Sequence, residues 1–276
     1  MLKNNLFVRS LTGFFYVAAV VGAILLSPVT SALLFLVIAV LAMLEFLKAF
    51  KGQARPDMFF SVMTGVLIYL IISLVVFHVL SPTYLSLSLI PVVSIFIYEL
   101  YRNEKNPFLN IGITLIASVY VVLPLSLLNS IYAFGMLIEG PSHQFILAFF
   151  ILNWVNDSMA YLIGKWLGRT RLFPRVSPQK TWEGFAGGLL FTWLAAWLLS
   201  LCYTGIDLNF WFLFASIIVI FATLGDLVES LLKRDFNLKD TGSILPGHGG
   251  MLDRFDGVLL SSLMIFLFLN FFIGNG

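Results

Sequence analysis

Nine apolar stretches, each close to the roughly 20 residues that cross the hydrocarbon core of a bilayer as a helix, decide most of what this chain can become. They run Leu11–Ser27, Val29–Leu47, Met58–Leu80, Tyr84–Tyr101, Phe108–Leu128, Phe145–Leu162, Phe185–Tyr203, Leu208–Leu224 and Gly257–Ile273. Barrel strands are excluded, because these stretches are too long and do not alternate apolar with polar residues. Backbone polar groups surrounded by hydrocarbon must bond internally, which leaves helices. The expected fold is all-α: a polytopic integral membrane protein of about nine transmembrane helices. Only 11% of residues are charged, against about 25% in a soluble domain. The net charge of +2 gives no reason to expect a nucleic-acid partner. The single cysteine, Cys202, excludes an internal disulfide or a cysteine zinc cluster and reads as apolar filler. Lys3 and Arg9 precede the first stretch, but no small-residue cleavage site follows Leu26, so a first span is expected rather than a signal peptide.

Charge fixes the expected orientation. With a cytoplasmic N-terminus, all 16 Lys and Arg residues fall on cytoplasmic segments, while the opposite loops carry only Glu139 and Asp207. That asymmetry places the C-terminus outside. The chain also divides in character near Ser142, giving an expected scaffold of transmembrane helices over 1–142 and a catalytic region over 143–276. In the scaffold, Glu45 and Glu99 lie near cytoplasmic helix ends and read as satisfied boundary carboxylates, with Lys48 placed to pair with Glu45. His78 and His143 stand alone and read as structural.

Beyond Ser142 the polar residues become patterned. Asn153 and Asp157 stand one helical turn apart within an apolar span. An unpaired carboxylate there costs on the order of 2.5–3.5 kcal/mol, so Asp157 should face a partner, a metal or a water-filled cavity. Ala160, Gly164 and Gly168 repeat every four residues as a stripe for close helix packing. In Arg169–Gly184, Ser177 followed by Pro178 reads as a helix N-cap with proline at the first position. The helix start with Lys180 and Thr181 would then hold an anion. Arg169, Arg171 and Arg175 suit lipid headgroups better.

The densest polar segment runs from Thr223 to Asp256. Asp226, Glu229, Ser230 and Lys233 share one helical face, and Asp253 and Asp256 share another at the start of the last span. Carboxylates delivered from two helix ends suit Mg²⁺, a hard ion that also takes water and phosphate oxygens. Between them, Leu245-Pro246-Gly247-His248-Gly249-Gly250 is a turn whose glycines let backbone N–H groups approach a phosphate. Lys233, Arg234, Lys239 and Arg254 balance the acids. No P-loop, G-x-S-x-G elbow or H-E-x-x-H motif is present.

At these residues the chain resembles the phosphatidate cytidylyltransferase (CDP-diacylglycerol synthase) family. The family signature, S-x-x-K-R-x4-K-D-x-G-x2-L-P-x-H-G-G-x-x-D-R-x-D, is matched by Ser230, Lys233, Arg234, Lys239, Asp240, Gly242, Leu245, Pro246, His248, Gly249, Gly250, Asp253, Arg254 and Asp256. Asp157-Ser158 and the Ser177-Pro178 to Gly184 segment resemble it too, with Gln179 where a second lysine is expected. The likeness is specific from Leu152 to Gly276. It implies transfer of CMP from CTP to phosphatidate with Mg²⁺, and room for a second cation, at the cytoplasmic face of a bacterial plasma membrane, by a homodimer. On that reading Asp226, Asp253 and Asp256 hold the metal, with Asp157 and Glu229 in reserve. Lys180, Lys233, Arg234, Lys239 and Arg254 bind phosphates, with Ser177 and Thr181 beside them. His248, Gly249 and Gly250 steer pyrophosphate, and Ser230 orients Asp226. The competing readings are a CTP-dependent kinase of a polyprenol-type alcohol and an ion-coupled transporter.

Overall fold

A computed structural model describes residues 2–238, 240–242 and 249–274, with helix only and no side chains over 2–10 and 273–274. Helix makes up most of the described chain, beside a small two-stranded sheet. Its elements are α1 (Leu2–Leu26), α2 (Pro28–Ala49), α3 (Met58–Val76), a 3₁₀ turn (Pro82–Ser88), α4 (Leu89–Arg102), α5 (Pro107–Ala117), a π-helical turn (Ser118–Val122) and α6 (Leu123–Gly135). After them come α7 (Gln144–Leu167), a hairpin of β1 (Arg171–Phe173) and β2 (Ser177–Thr181), α8 (Trp182–Cys202), α9 (Leu208–Asp235) and α10 (Leu252–Gly274). Eight helical segments among the described residues are long and apolar enough to cross a membrane, and Leu11–Leu26 is a shorter apolar one. The protein is therefore a multi-pass membrane protein, with nine apolar helical segments among the described residues where about nine transmembrane helices were expected. The fifth crossing is a single 29-residue run, Pro107–Gly135, through the π turn.

Two compact units emerge. One comprises residues 1–130 and 236–255, the other 131–235 and 256–276. In the first, helices meet through small and hydroxylated residues, as packing within lipid requires. Tyr69 donates to the Ala32 carbonyl at 2.7 Å. The buried Asn129 amide donates to Tyr69 (2.9 Å) and to Ser73 (2.8 Å). Glu99 is satisfied at its helix end by Arg102 (2.8 Å) and Asn110 (3.3 Å). Glu45 departs from expectation: no ion pair with Lys48 forms among the described residues, and its carboxylate instead accepts the Leu252 N–H at 2.8 Å.

In the second unit α7 and α8 lie closest, and their glycines explain it. A Cβ on Gly184 would stand 2.7 Å from the Ala160 carbonyl, and one on Gly188 2.6 Å from Asn156 Oδ1. The small-residue stripe on α7 does pack a neighbouring helix. A cluster of Phe145, Phe210, Trp211, Phe214 and Phe268 fills the other end. Large apolar side chains such as Leu100, Tyr101, Phe108 and Trp166 are exposed, as a lipid-facing surface would be.

Candidate active site

The second unit builds an acid cluster from two helices that touch. Gly225 on α9 lies against the Asp256 carbonyl and within 3.2 Å of Gly257 Cα, measured from the Cβ it lacks. Gly257 in turn lies against Ala222. Any side chain at 225 would push α10 away. The contact brings Asp226 and Glu229 together with Asp256, so that one carboxylate oxygen of each lies within 4.8 Å of the others. Glu229 and Asp256 are within hydrogen-bonding reach of one another. Three carboxylates at this spacing repel unless cations meet them.

Two lysines do so from different elements. Lys233, one turn along α9, pairs with the wholly buried Glu229 at 2.8 Å. Lys180 arrives from β2 and pairs with Asp226, its ammonium also lying 3.4 Å from the Thr223 carbonyl. Ser230 donates to Asp226 at 3.3 Å. Asp157 on α7 is open at the surface of the protein and lies within electrostatic reach of Asp256, Asp226 and Lys180.

The segment presenting Lys180 differs from the sequence reading. Ser177-Pro178 does not start a helix. Residues 177–181 form β2, paired antiparallel with β1 in the register Arg171 to Thr181 and Phe173 to Ser177. Extended backbone suits Pro178 as well as a first helical turn does. The helix begins at Trp182, and Thr181 caps it by accepting the Gly184 N–H at 3.1 Å. The hairpin is closed where Glu183 accepts the Thr170 N–H (3.0 Å) and Trp182 donates to the Thr170 carbonyl (3.0 Å). Thr181 also packs against Gly164 and Gly168. Ser177 therefore lies in the strand. The exposed Arg234 reaches the hairpin with its Nε 3.4 Å from the Val176 carbonyl.

The first unit carries the other half of the signature. Asp253 accepts the Gly250 N–H at 2.7 Å and the Thr241 N–H at 3.1 Å, drawing the two described ends of the glycine turn together. Gly249 adopts a φ of +84°, a backbone region that glycine enters without strain. Gly250 is buried, and Arg254 is exposed at the first turn of α10. Lys239 and His248, with Leu245, Pro246 and Gly247, lie outside the described residues.

Donor chemistry and spacing make Asp226, Glu229 and Asp256 a fit for a hard divalent ion. Glu229, a reserve ligand in the sequence reading, belongs to this cluster by geometry. Its signal was present in the i, i+3 spacing from Asp226. The Gly225 and Gly257 contact had no counterpart in the sequence reading, since a glycine beside an acid does not say which helix it meets.

Comparison with known proteins gives the Cytidylyltransferase family matching residues 7–272. Among relatives, the phosphatidate cytidylyltransferase of Staphylococcus aureus (strain COL) is 38% identical over 164 residues, 59% of this chain and 60% of that protein. Those of Staphylococcus haemolyticus (strain JCSC1435) and Staphylococcus epidermidis (strain ATCC 12228 / FDA PCI 1200) are each 37% identical over the same shares. The chain thus spans 60% of the length of the relatives it matches.

Proposed function

The chain belongs to the cytidylyltransferase family, and we propose on that footing that it transfers CMP from CTP to phosphatidate, giving CDP-diacylglycerol and pyrophosphate. The observation that carries this reading is the cluster of Asp226, Glu229 and Asp256 with a lysine on each side. In the reaction, a phosphate oxygen of phosphatidate bonds to the α-phosphorus of CTP. The bond from that phosphorus to the oxygen bridging to the β-phosphate breaks, and its electron pair leaves with pyrophosphate. A phosphate monoester has a second pKa of about 6, so the nucleophile is already anionic and needs no strong base. A site made of acids and cations is suited to that.

What the protein must supply is proximity and charge compensation between two polyanions. A Mg²⁺ held by Asp226, Glu229 and Asp256 would supply charge neutralisation at the transferred phosphoryl group. Lys180 and Lys233 hold positive charge beside those acids and would take up phosphate oxygens, with Arg234 on the hairpin side. Asp157 would add to the field that draws a divalent ion. Arg254, with Lys239, His248, Gly249 and Gly250, would receive the remaining phosphates, and Asp253 would shape the turn that carries them. A second cation belongs to the same proposal.

The deciding experiment gives the purified protein Mg²⁺, α-labelled CTP and either phosphatidate or a polyprenol. Label should enter the lipid with phosphatidate, with pyrophosphate released, and a chelator should reduce transfer to background. Label recovered as CDP with the polyprenol would make the protein a kinase, and ion flux without nucleotide would make it a transporter. The same reading puts the N-terminus and the site in the cytoplasm, in the plasma membrane of a bacterial cell. The sequence reading placed an outer loop at Asn129–Ser142, but α6 runs on to Gly135, so a reporter fused after Gly135 and before Ser142 should report the outside, and a cytoplasmic signal there would invert the topology. A homodimer is part of the proposal, and the mass of the detergent-solubilised protein checks it.

A further inference from the structure

Glu45 sits in α2, among apolar and small residues, with 2% of its surface exposed. A carboxylate buried so deeply persists where donors meet it. Here the donor lies 207 residues further along the chain: the Leu252 N–H, at 2.8 Å from Oε2, while Oε1 is buried with no hydrogen-bond partner among the described residues. Leu252 opens α10, so its N–H is among those a helix start leaves without an intrahelical partner, at the positive end of the dipole. One transmembrane helix thus caps another.

Two glycines make room for this. A Cβ on Gly250 would stand 2.5 Å from Glu45 Oε2 and 2.8 Å from its Cδ, and one on Gly242 would strike the same carboxylate. Neither glycine has a positive φ, so close approach and not backbone conformation favours them: to Glu45 at both positions, and at Gly250 also to the Gly242 backbone N at 2.8 Å. Asp253 draws the same two stretches together from the other side, through the N–H groups of Thr241 and Gly250. The described ends of the turn, 240–242 and 249–252, are therefore held between two carboxylates.

We propose that Glu45 is a positioning residue for the transfer reaction, an inference that rests on the cytidylyltransferase reading. It fixes the described ends of the turn and the first turn of α10, and so the backbone from which Arg254 projects. An apolar residue at 45 would fill the same volume but leave the Leu252 N–H buried without an acceptor.

The test uses full-length protein with Glu45→Ala and Glu45→Gln. Misplacing a catalytic element by about 1 Å costs on the order of 10²-fold, so Glu45→Ala should lower kcat/KM for CTP by about that factor, with part of the loss in KM. Glu45→Gln keeps length and an acceptor oxygen and should return KM to within about threefold of wild type. Without substrate, hydrogen exchange in the peptide covering 249–256 should quicken in Glu45→Ala while peptides from α7 and α8 stay unchanged. Wild-type KM, a glutamine variant as defective as alanine, or exchange that quickens throughout the chain would each overturn the proposal. Exchange needs no turnover. If wild type transferred no CMP, the functional reading would fall, while exchange at Leu252 would still decide whether Glu45 holds the turn.

Discussion

Asp256→Asn should lower transfer of label from CTP to phosphatidate by on the order of 10³-fold, about 4 kcal/mol of transition-state stabilisation, in a protein that still inserts and folds. The carboxamide keeps the shape of the side chain, so the close contact of α9 and α10 at Gly225 and Gly257 is undisturbed. What goes is one of three charges whose oxygens lie within 4.8 Å of each other. A divalent ion held by three carboxylates loses one ligand charge, whereas Lys180 and Lys233 keep their partners Asp226 and Glu229.

Stability should move the other way. Like charges this close repel, so removing one relieves strain that the metal-free site holds, as functional clusters commonly do. The melting temperature of Asp256→Asn without Mg²⁺ should equal or exceed that of wild type. A ligand that binds only the folded state raises that temperature by mass action, so Mg²⁺ should stabilise wild type measurably and the variant much less. Turnover within tenfold of wild type, or an undiminished Mg²⁺ shift, would remove Asp256 from the metal centre.

How much of this was legible follows from which interactions are local in sequence. Nine apolar segments each carry their own length and composition, so the helical membrane architecture could be read directly. The stripe joining Asp226, Glu229 and Lys233 was readable for the same reason, since one helix carries all three. Glu45 does meet a donor, but which one was not legible, because that donor is 207 residues away, while Lys48, the apparent partner, stands three residues along the helix. The Ser177-Pro178 segment failed differently: proline fixes φ near a value that both a first helical turn and an extended strand accept. The pairing that decided between them, Arg171 with Thr181, involves residues with no strand-like alternation. Gly250 was read as one of the glycines that let a phosphate approach, and in the fold both it and Gly242 adjoin a carboxylate.

The strand matters because it delivers Lys180, and Lys180→Met is the second substitution with a large expected effect. Methionine keeps most of the apolar stem and β2, and removes only the charge that meets Asp226 and lies near the Thr223 carbonyl. Asp157, Asp226, Glu229 and Asp256 would then be balanced by Lys233 alone among the described lysines near them. If Lys180 also meets the nucleotide phosphates, losing it weakens CTP binding and the transition state together. The expected loss in kcat/KM for CTP is on the order of 10²-fold, about 2.7 kcal/mol, with KM for CTP raised and KM for phosphatidate little changed. Lys180→Arg should recover only part, because a planar fork does not replace a point charge held between a carboxylate and a carbonyl. The two roles separate by salt and by metal. A lysine that only restrains Asp226 would, when lost, change the Mg²⁺ concentration needed for half-maximal rate and leave KM for CTP untouched. That pattern would assign Lys180 to the acid cluster and leave the triphosphate to Arg234, Arg254 and Lys239.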